Sequence, residues 1–299
     1  MATNTLSGIM VPAVTPFTAS GELDRSAFIA NLRAHLSFGM SGILVTGSSG
    51  EAALLDDTER EALVEWARDV VPADKWLLAG IGAESTRQTI NRAKVAHRAG
   101  ADAVLVVAPH YYLKRTTEAA LSAHYQAIAD ASPVPVMLYN IPGYAHLVLQ
   151  PSLIHEMAKH PNVIGMKDSA GNLPMLTEYL GAASEKFRVL TGSGATVVPA
   201  LKSGAAGAIL AIALFAGPMV LAMHAAQMAG DDVTAAGLQL KLAPLAMDIG
   251  AALGPAGIKA AMDVVGLAGG PPRSPLQPAS AEEMATIRAR METAGLLPA

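Results

Sequence analysis

The sequence predicts an α/β protein in which a (β/α)8 TIM barrel is followed by a C-terminal helical region. Eight apolar runs of buried-strand length recur between residues 9 and 211, and segments with helical spacing separate them. Strand and helix therefore alternate along this part of the chain. The predicted strands occupy residues 9–14, 43–45, 76–79, 103–107, 136–139, 163–166, 189–190 and 208–211.

Helical spacing is clearest in residues 28–36 and 63–71, where apolar side chains recur every three or four positions. A hydroxyl residue followed three positions later by glutamate is the pattern of a capping box, which marks the start of a helix. The pattern occurs at Thr58 with Glu61 and at Ser280 with Glu283.

Three turns between helix and strand resemble one another. Gly39, Gly100 and Gly204 each follow a helical segment and precede a strand that is entered through small residues. Glycine commonly ends a helix because it adopts a left-handed backbone conformation without steric cost. Similar turns at corresponding places favour a repeated βα unit.

Eight such units predict a closed barrel rather than an open doubly wound sheet, which would have fewer strands and a nucleotide fingerprint. Beyond about residue 215 the strand pattern stops, and Ala-, Leu- and Met-rich helical segments follow. The predicted division is a catalytic barrel over residues 1–225 and a helical region packed on it over residues 226–299.

Composition points to small-molecule chemistry. The net charge of −4 comes without a long run of one sign, so no nucleic-acid partner is expected. Residues 1–7 lack the features of a signal peptide, which predicts a cytoplasmic protein. The uncharged segment 203–230 is long enough to span a membrane, but Gly217-Pro218 interrupts it, and its first part fits a buried strand better.

Metal and nucleotide cofactors are not predicted. The absence of cysteine excludes disulfides and thiolate chemistry, and no two of the eight histidines have helical i, i+4 spacing. No dinucleotide fingerprint follows a strand, and no Walker-type loop is present.

Lys167 is the most informative residue. It directly follows the apolar run 163–166, where no other predicted strand ends in a cation. A buried ammonium is costly to keep charged, and this favours the neutral, nucleophilic amine that imine chemistry on a carbonyl requires. The ordinary alternative is a lysine whose stem is buried while its amine reaches water at the rim.

Hydroxyl groups follow several other strands, and active sites of such barrels lie at the carboxyl ends of the strands. Gly47-Ser48-Ser49-Gly50 offers free N–H groups and hydroxyls for a carboxylate, although it would also serve as a plain turn. Tyr111 and Tyr139 offer phenols, although a lone tyrosine commonly packs its ring and leaves its hydroxyl in water.

Three motifs together resemble those of the dihydrodipicolinate synthase / N-acetylneuraminate lyase family. They are Gly47-Ser48-Ser49-Gly50-Glu51, Tyr139-Asn140-Ile141-Pro142 and Gly165-Met166-Lys167-Asp168-Ser169, in this order and spacing. The resemblance covers nearly the whole chain. It implies a (β/α)8 barrel, commonly assembled as a homotetramer, that forms a Schiff base with pyruvate and needs no cofactor.

The resemblance also implies roles for individual residues. Lys167 would form the Schiff base and Tyr139 would donate and accept the proton, with Ser48 linking it to water. Tyr111 would complete the relay from a neighbouring subunit. Ser49, with Ser48 and the backbone near Ile209, would hold the pyruvate carboxylate.

One position departs from the branch of the family that synthesises lysine precursors. There an arginine two residues beyond the Tyr-Asn-x-Pro proline binds the carboxylate of aspartate semialdehyde, whereas this chain has Tyr144. One phenolic hydroxyl cannot replace a bidentate guanidinium. Tyr144 is therefore a candidate specificity residue, and Pro109-His110-Tyr111-Tyr112 looks closer to the 4-hydroxy-2-oxoglutarate aldolase branch.

The predicted function is a Schiff-base lyase that cleaves or forms a carbon–carbon bond between pyruvate and a short aldehyde or oxo acid. The expected substrates are of the 4-hydroxy-2-oxoglutarate or 2-keto-3-deoxy acid type. One alternative is 4-hydroxy-tetrahydrodipicolinate synthase, which uses pyruvate and aspartate semialdehyde. Another is a barrel that binds a pyruvate-like ligand without catalysis.

Overall fold

The computed structural model describes residues 5–298 and contains the predicted barrel. Each strand pairs in parallel with the next along the chain, and β8 pairs with β1, which closes the sheet. The strands are β1 Gly8–Pro12, β2 Gly42–Val45, β3 Trp76–Gly80, β4 Ala103–Val107, β5 Val136–Asn140, β6 Val163–Asp168, β7 Arg188–Thr191 and β8 Gly207–Ile209.

Helices follow the strands and continue beyond the barrel. Those between β1 and β8 are α1 Arg25–Ser37, α2 Asp57–Arg68, α3 Thr86–Arg98, α4 Glu118–Ala131, α5 Pro142–Ala145, α6 Pro151–Met157, α7 Leu173–Leu180 and α8 Val197–Lys202. After β8 come α9 Ala213–Met228, α10 Asp232–Leu245, a π-helical segment Ala246–Ala251, α11 Gly254–Val264 and α12 Ala281–Ala294.

Side chains alternate between two apolar cores because successive residues of a strand point to opposite faces. Met137 and Tyr139 of β5 point into the barrel, where they pack with residues such as Leu44 and Leu190. Leu138, between them, belongs to the larger core that lies between the strands and the surrounding helices. The interior is therefore filled, and only its end at the carboxyl termini of the strands is available for chemistry.

The predicted helix-to-strand turns are confirmed. Gly39, Gly100 and Gly204 have φ angles of 102°, 100° and 108°, in the left-handed region that favours glycine. Each stands immediately after a helix or its last turn and reverses the chain toward the next strand.

One predicted helix start is wrong. Helix α2 begins two residues earlier than the box at Thr58 predicts, because Asp56 is the N-cap and forms the capping box with Glu59. The hydroxyl of Thr58 donates to the Asp56 carboxylate instead. The second predicted box, Ser280 with Glu283, is confirmed at the start of α12.

The uncharged segment 203–230 contains β8 and all of α9, as the barrel interpretation predicts. Within residues 5–298, no helix is both long and apolar enough to cross a membrane. Helix α9 runs through position 225, and the division between barrel and helical region at that position stays a prediction. The sequence argument about a signal peptide concerned residues 1–7, of which residues 1–4 lie outside the described part of the chain.

Candidate active site

The register of β5 and β6 places Tyr139 directly opposite Lys167. Both side chains point into the barrel at its carboxyl end, and both are about 5% exposed. The Lys167 Nζ lies 3.2 Å from the Tyr139 Oη, within hydrogen-bond distance. An amine and a phenol are thus in direct contact where the barrel opens, as the sequence predicts.

The next pair in the same register supports this arrangement. Asn140 donates its side-chain amide to the carboxylate of Asp168 at 2.7 Å and accepts the N–H of Leu149 at 3.0 Å. Asp168 is buried, and burial raises its pKa, while the hydrogen bonds from Asn140 and the Ala170 N–H act in the opposite direction. These bonds tie the ends of β5 and β6 together and hold Lys167 beside Tyr139.

A glycine at the end of β7 makes room for the lysine. A Cβ on Gly192 would lie 2.6 Å from Cε of Lys167 and 2.0 Å from Oγ of Ser169, closer than real atoms approach. The N–H of Gly192 also donates to the carbonyl of Asp168 at 2.6 Å. The Lys167 stem therefore passes close to the backbone of the neighbouring strand end.

Above this pair lies an open cavity of about 420 Å³. Among its described lining residues, Lys167 is the only one with a formally charged side chain. Most of the polar lining is hydroxyl-bearing: Ser48, Ser49, Tyr139, Tyr144, Ser169, Ser193 and Thr196. The cavity can accept a small polar molecule that reaches the amine.

Most of the predicted site residues meet at this cavity. Ser48, Ser49 and Tyr144 line it together with Lys167 and Tyr139. The environment of Tyr144 raises its pKa, chiefly by burial and further by the nearby Tyr139 phenol.

Two predicted residues do not line the cavity. Ile209 is fully buried in the barrel interior, and the lining next to β8 comes from Ala211 and Ile212. Tyr111 lies on the loop after β4 with 75% of its surface exposed, and its ring packs edge-on against Tyr112. The roles of both residues stay predictions.

The C-terminal region supplies a wall that the sequence did not predict. Ala246, Met247, Gly250 and Ala251 of the π-helical segment line the cavity, as does Ile258 of α11. Short π-helical segments occur frequently at functional sites. Apolar periodicity shows that a helix is present here, but it does not show which strand ends the helix covers.

Ser169, the last residue of the Lys167 motif, also lines the cavity, which the sequence did not predict. Its Oγ lies 3.5 Å from the Tyr139 Oη. It stands two positions after Lys167, and the two-residue period of a strand could have placed both side chains on one face.

Comparison with known proteins identifies the family. A model of the dihydrodipicolinate synthetase family matches residues 5–294. The chain belongs to this family. It is 36% identical over 294 residues to a 4-hydroxy-tetrahydrodipicolinate synthase of Kineococcus radiotolerans, covering 97% of this chain and 94% of that protein. It is 32% identical over 286 residues to one of Exiguobacterium sp., covering 96% and 97%.

Solved structures of family members have the same fold. The dihydrodipicolinate synthase DapA-2 of Bacillus anthracis has a TM-score of 0.91 and 30% identity, covering 96% of this chain and 97% of that one. YagE, a prophage protein of E. coli K12 that belongs to the dihydrodipicolinic acid synthase family, was solved in complex with pyruvate. It has a TM-score of 0.91 and 29% identity, covering 98% and 100%. The family groups class I aldolases, and the protein is accordingly a carbon–carbon lyase.

Proposed function

We propose that the protein is a pyruvate-dependent aldolase in which Lys167 forms the Schiff base. The observation that carries the proposal is the 3.2 Å contact between the Lys167 amine and the Tyr139 phenol in an otherwise uncharged cavity. A desolvated amine next to a proton donor is suited to carbonyl attack and to the loss of water that follows. The pyruvate bound in the YagE structure supports the same substrate here.

The chemistry follows from these two groups. The Lys167 amine, in its neutral form, attacks C2 of the oxo acid, and Tyr139 passes one proton from the nitrogen to the oxygen, which gives a carbinolamine. A second proton, taken up from solvent through Tyr139, lets this oxygen leave as water and leaves a protonated imine. In the cleavage direction, a base then takes the proton of the C4 hydroxyl, the C3–C4 bond breaks, and its electron pair passes to the protonated imine. The products are an aldehyde and an enamine, which is protonated at C3 and hydrolysed to pyruvate.

The remaining predicted residues fit around this core. Ser48 and Ser49 form the first turn of a short 3₁₀ helix that lines the cavity, and their hydroxyls and N–H groups suit the pyruvate carboxylate. The backbone near Ile209 would complete that contact. Ser48 would also pass protons between Tyr139 and water.

We also propose that the protein works as a homotetramer to which Tyr111 contributes across a subunit contact. Tyr111 and Tyr112 are 75% and 72% exposed. Two adjacent aromatic rings in contact with water are unfavourable, and such exposed apolar patches commonly mark a protein–protein contact. Glu84 accepts the N–H groups of His110 and Tyr111 at 3.0 and 2.9 Å, so the loop that carries them has a defined position. We place the protein in the cytoplasm.

Two choices of second substrate have support. Aspartate semialdehyde is favoured by the printed names of the curated relatives, which are 4-hydroxy-tetrahydrodipicolinate synthases. The charge of the cavity favours the other choice. The protonated imine formed by Lys167 is balanced by the pyruvate carboxylate, and Tyr144 stands where an arginine would bind a second carboxylate. A hydroxylated, uncharged aldehyde released from a 2-keto-3-deoxy acid matches the hydroxyl-rich lining better. We rank 4-hydroxy-2-oxoglutarate second, because its second carboxylate would have no cation to bind.

Trapping and turnover assays test these proposals separately. Borohydride added with pyruvate is expected to give an adduct visible by intact mass, and Lys167→Ala is expected to give none. A wild-type protein without adduct would favour the non-catalytic ligand-binding barrel. Pyruvate release from 2-keto-3-deoxygluconate and from 4-hydroxy-2-oxoglutarate is then compared with condensation of pyruvate and aspartate semialdehyde. Faster condensation would assign the synthase activity and refute the argument from Tyr144.

A further inference from the structure

We infer that Glu51 and Lys259 are positioning residues through which the C-terminal helical region holds the Ser48–Ser49 loop in its pyruvate-binding geometry. The inference rests on the proposed function of that loop. Neither side chain lines the cavity, and Lys259 belongs to α11, far from the loop in sequence.

The backbone of Glu51 is in an unusual conformation. Its φ and ψ are 56° and 38°, in the left-handed region that non-glycine residues seldom occupy. It directly follows the 3₁₀ turn Ser48–Gly50, and its N–H donates to the Ser48 carbonyl at 3.1 Å. The N–H of Ala52 donates to Gly47 across the same turn. The geometry of Ser48 and Ser49 is therefore coupled to the conformation of Glu51.

The Glu51 carboxylate is held by groups of the C-terminal region. The Lys259 Nζ lies 2.5 Å from Oε1, and the N–H of Arg273 donates to Oε2 at 2.8 Å. The side chains of Glu51 and Lys259 are 0% and 1% exposed, so the pair is removed from solvent. Burial lowers the pKa of Lys259, and Glu51 opposes this effect.

The two cations of this cluster are themselves fixed from several sides. Lys259 also donates to the Pro271 carbonyl at 2.9 Å. Lys259 and Arg273 both lie over the ring of Phe17, with distances of 4.5 and 4.2 Å to its centroid. Arg273 makes a two-armed contact with Glu59 at the start of α2. The cluster is a rigid support against which the loop is held.

Charge explains why the loop depends on this support. A buried carboxylate that loses its cation is strongly unfavourable, and the local structure can relieve the cost by moving the carboxylate toward water. Because Glu51 adjoins the turn, such a movement displaces Ser48 and Ser49 without touching Lys167 or Tyr139. The expected main defect is weaker pyruvate binding, with a smaller loss of the trapping rate at saturation because Ser48 also links Tyr139 to water.

The test measures how borohydride trapping depends on pyruvate concentration in Lys259→Met and Glu51→Gln. Each variant is expected to need at least tenfold more pyruvate for half-maximal trapping, with the rate at saturation within threefold of wild type. Tenfold corresponds to about 1.4 kcal/mol of binding free energy. Lys241→Met is the matched control, because Lys241 is exposed on α10 of the same region, and it is expected to match wild type. The double variant Glu51→Gln/Lys259→Met, with both charges removed, is expected to lie closer to wild type than Lys259→Met.

A purely structural role gives a different pattern. Variants that lose thermal stability but keep the wild-type half-saturating concentration in the folded fraction would overturn the inference, as would failure of both single variants to fold. Absence of an adduct in the wild type would instead refute the proposed function. In that case, calorimetry would compare the affinity of pyruvate for wild type and for Glu51→Gln. Equal affinities would refute the role of Glu51 in holding the Ser48–Ser49 loop.

Discussion

Replacement of Tyr139 by phenylalanine tests whether the phenol beside Lys167 transfers protons. The change removes one oxygen, which lies 3.2 Å from the Lys167 Nζ and 3.5 Å from the Ser169 Oγ. The amine remains, and so does the ring that packs in the barrel interior.

The expected loss can be divided between stability and rate. Loss of a hydrogen bond of this kind costs about 1 kcal/mol of unfolding free energy, equivalent to a few degrees of melting temperature at this size. Positioned acid–base catalysis contributes about 10²- to 10⁴-fold to the rate. Tyr139→Phe should therefore melt within about 4 °C of wild type and lose about 10²-fold or more of kcat/KM.

The measurement is pyruvate release from the best 2-oxo acid substrate, alongside thermal unfolding. Tyr125→Phe is a matched control, because the Tyr125 hydroxyl is fully buried and has no hydrogen-bond partner among the described residues. It should keep wild-type activity and equal or greater stability. If folded Tyr139→Phe retains more than a tenth of the wild-type kcat/KM, Tyr139 is not the proton relay.

Three further changes test other parts of the structure. Burial lowers the pKa of His124 to about 4, so the unfolded chain binds a proton at this residue more readily, and stability should fall as pH drops from 6.5 toward 4. Urea unfolding at pH 7, 6 and 5 should show an unfolding free energy that decreases with falling pH, and His124→Asn should reduce this dependence by up to about 1 kcal/mol per pH unit. Gly165→Ala would place a Cβ 2.2 Å from the Arg188 carbonyl oxygen, so it should lower the melting temperature and weaken Schiff-base trapping, and an unchanged protein would contradict this contact. Gln239→Leu leaves the Val198 N–H and the Gly194 carbonyl without their partner, which should cost about 2 kcal/mol or more in chemical denaturation.

The strands and the central pair of the site were predictable because they depend on local pattern. Buried parallel strands appear as continuous apolar runs, and the residue after such a run lies at the open end of the barrel. Tyr139 ends one such run and Lys167 directly follows the next, so their proximity follows from strand order alone.

Competing local patterns were harder to resolve. Asp56 with Glu59 and Thr58 with Glu61 are overlapping capping boxes, and either can begin α2. The structure uses Asp56, whose carboxylate also accepts the Thr58 hydroxyl. This second bond depends on side-chain geometry that spacing does not specify.

Contacts between distant segments were not predictable from pattern. Glu51 belongs to one of the three motifs, but nothing in its spacing indicates that it meets Arg273 in the tail of the chain. Lys259 falls in an apolar helix, where a single lysine ordinarily extends to solvent. Its burial follows from the shape of the assembled fold.

The π-helical segment allows substrate selectivity to change independently of the reacting groups. The bond-making groups come from β5 and β6, whereas Ala246, Gly250 and Ala251 stand on a different structural unit. Their side chains are small, so a bulkier replacement would shorten the acceptor space without altering the amine or its phenol. New selectivity can therefore arise in the tail of the chain while the reaction itself is inherited unchanged.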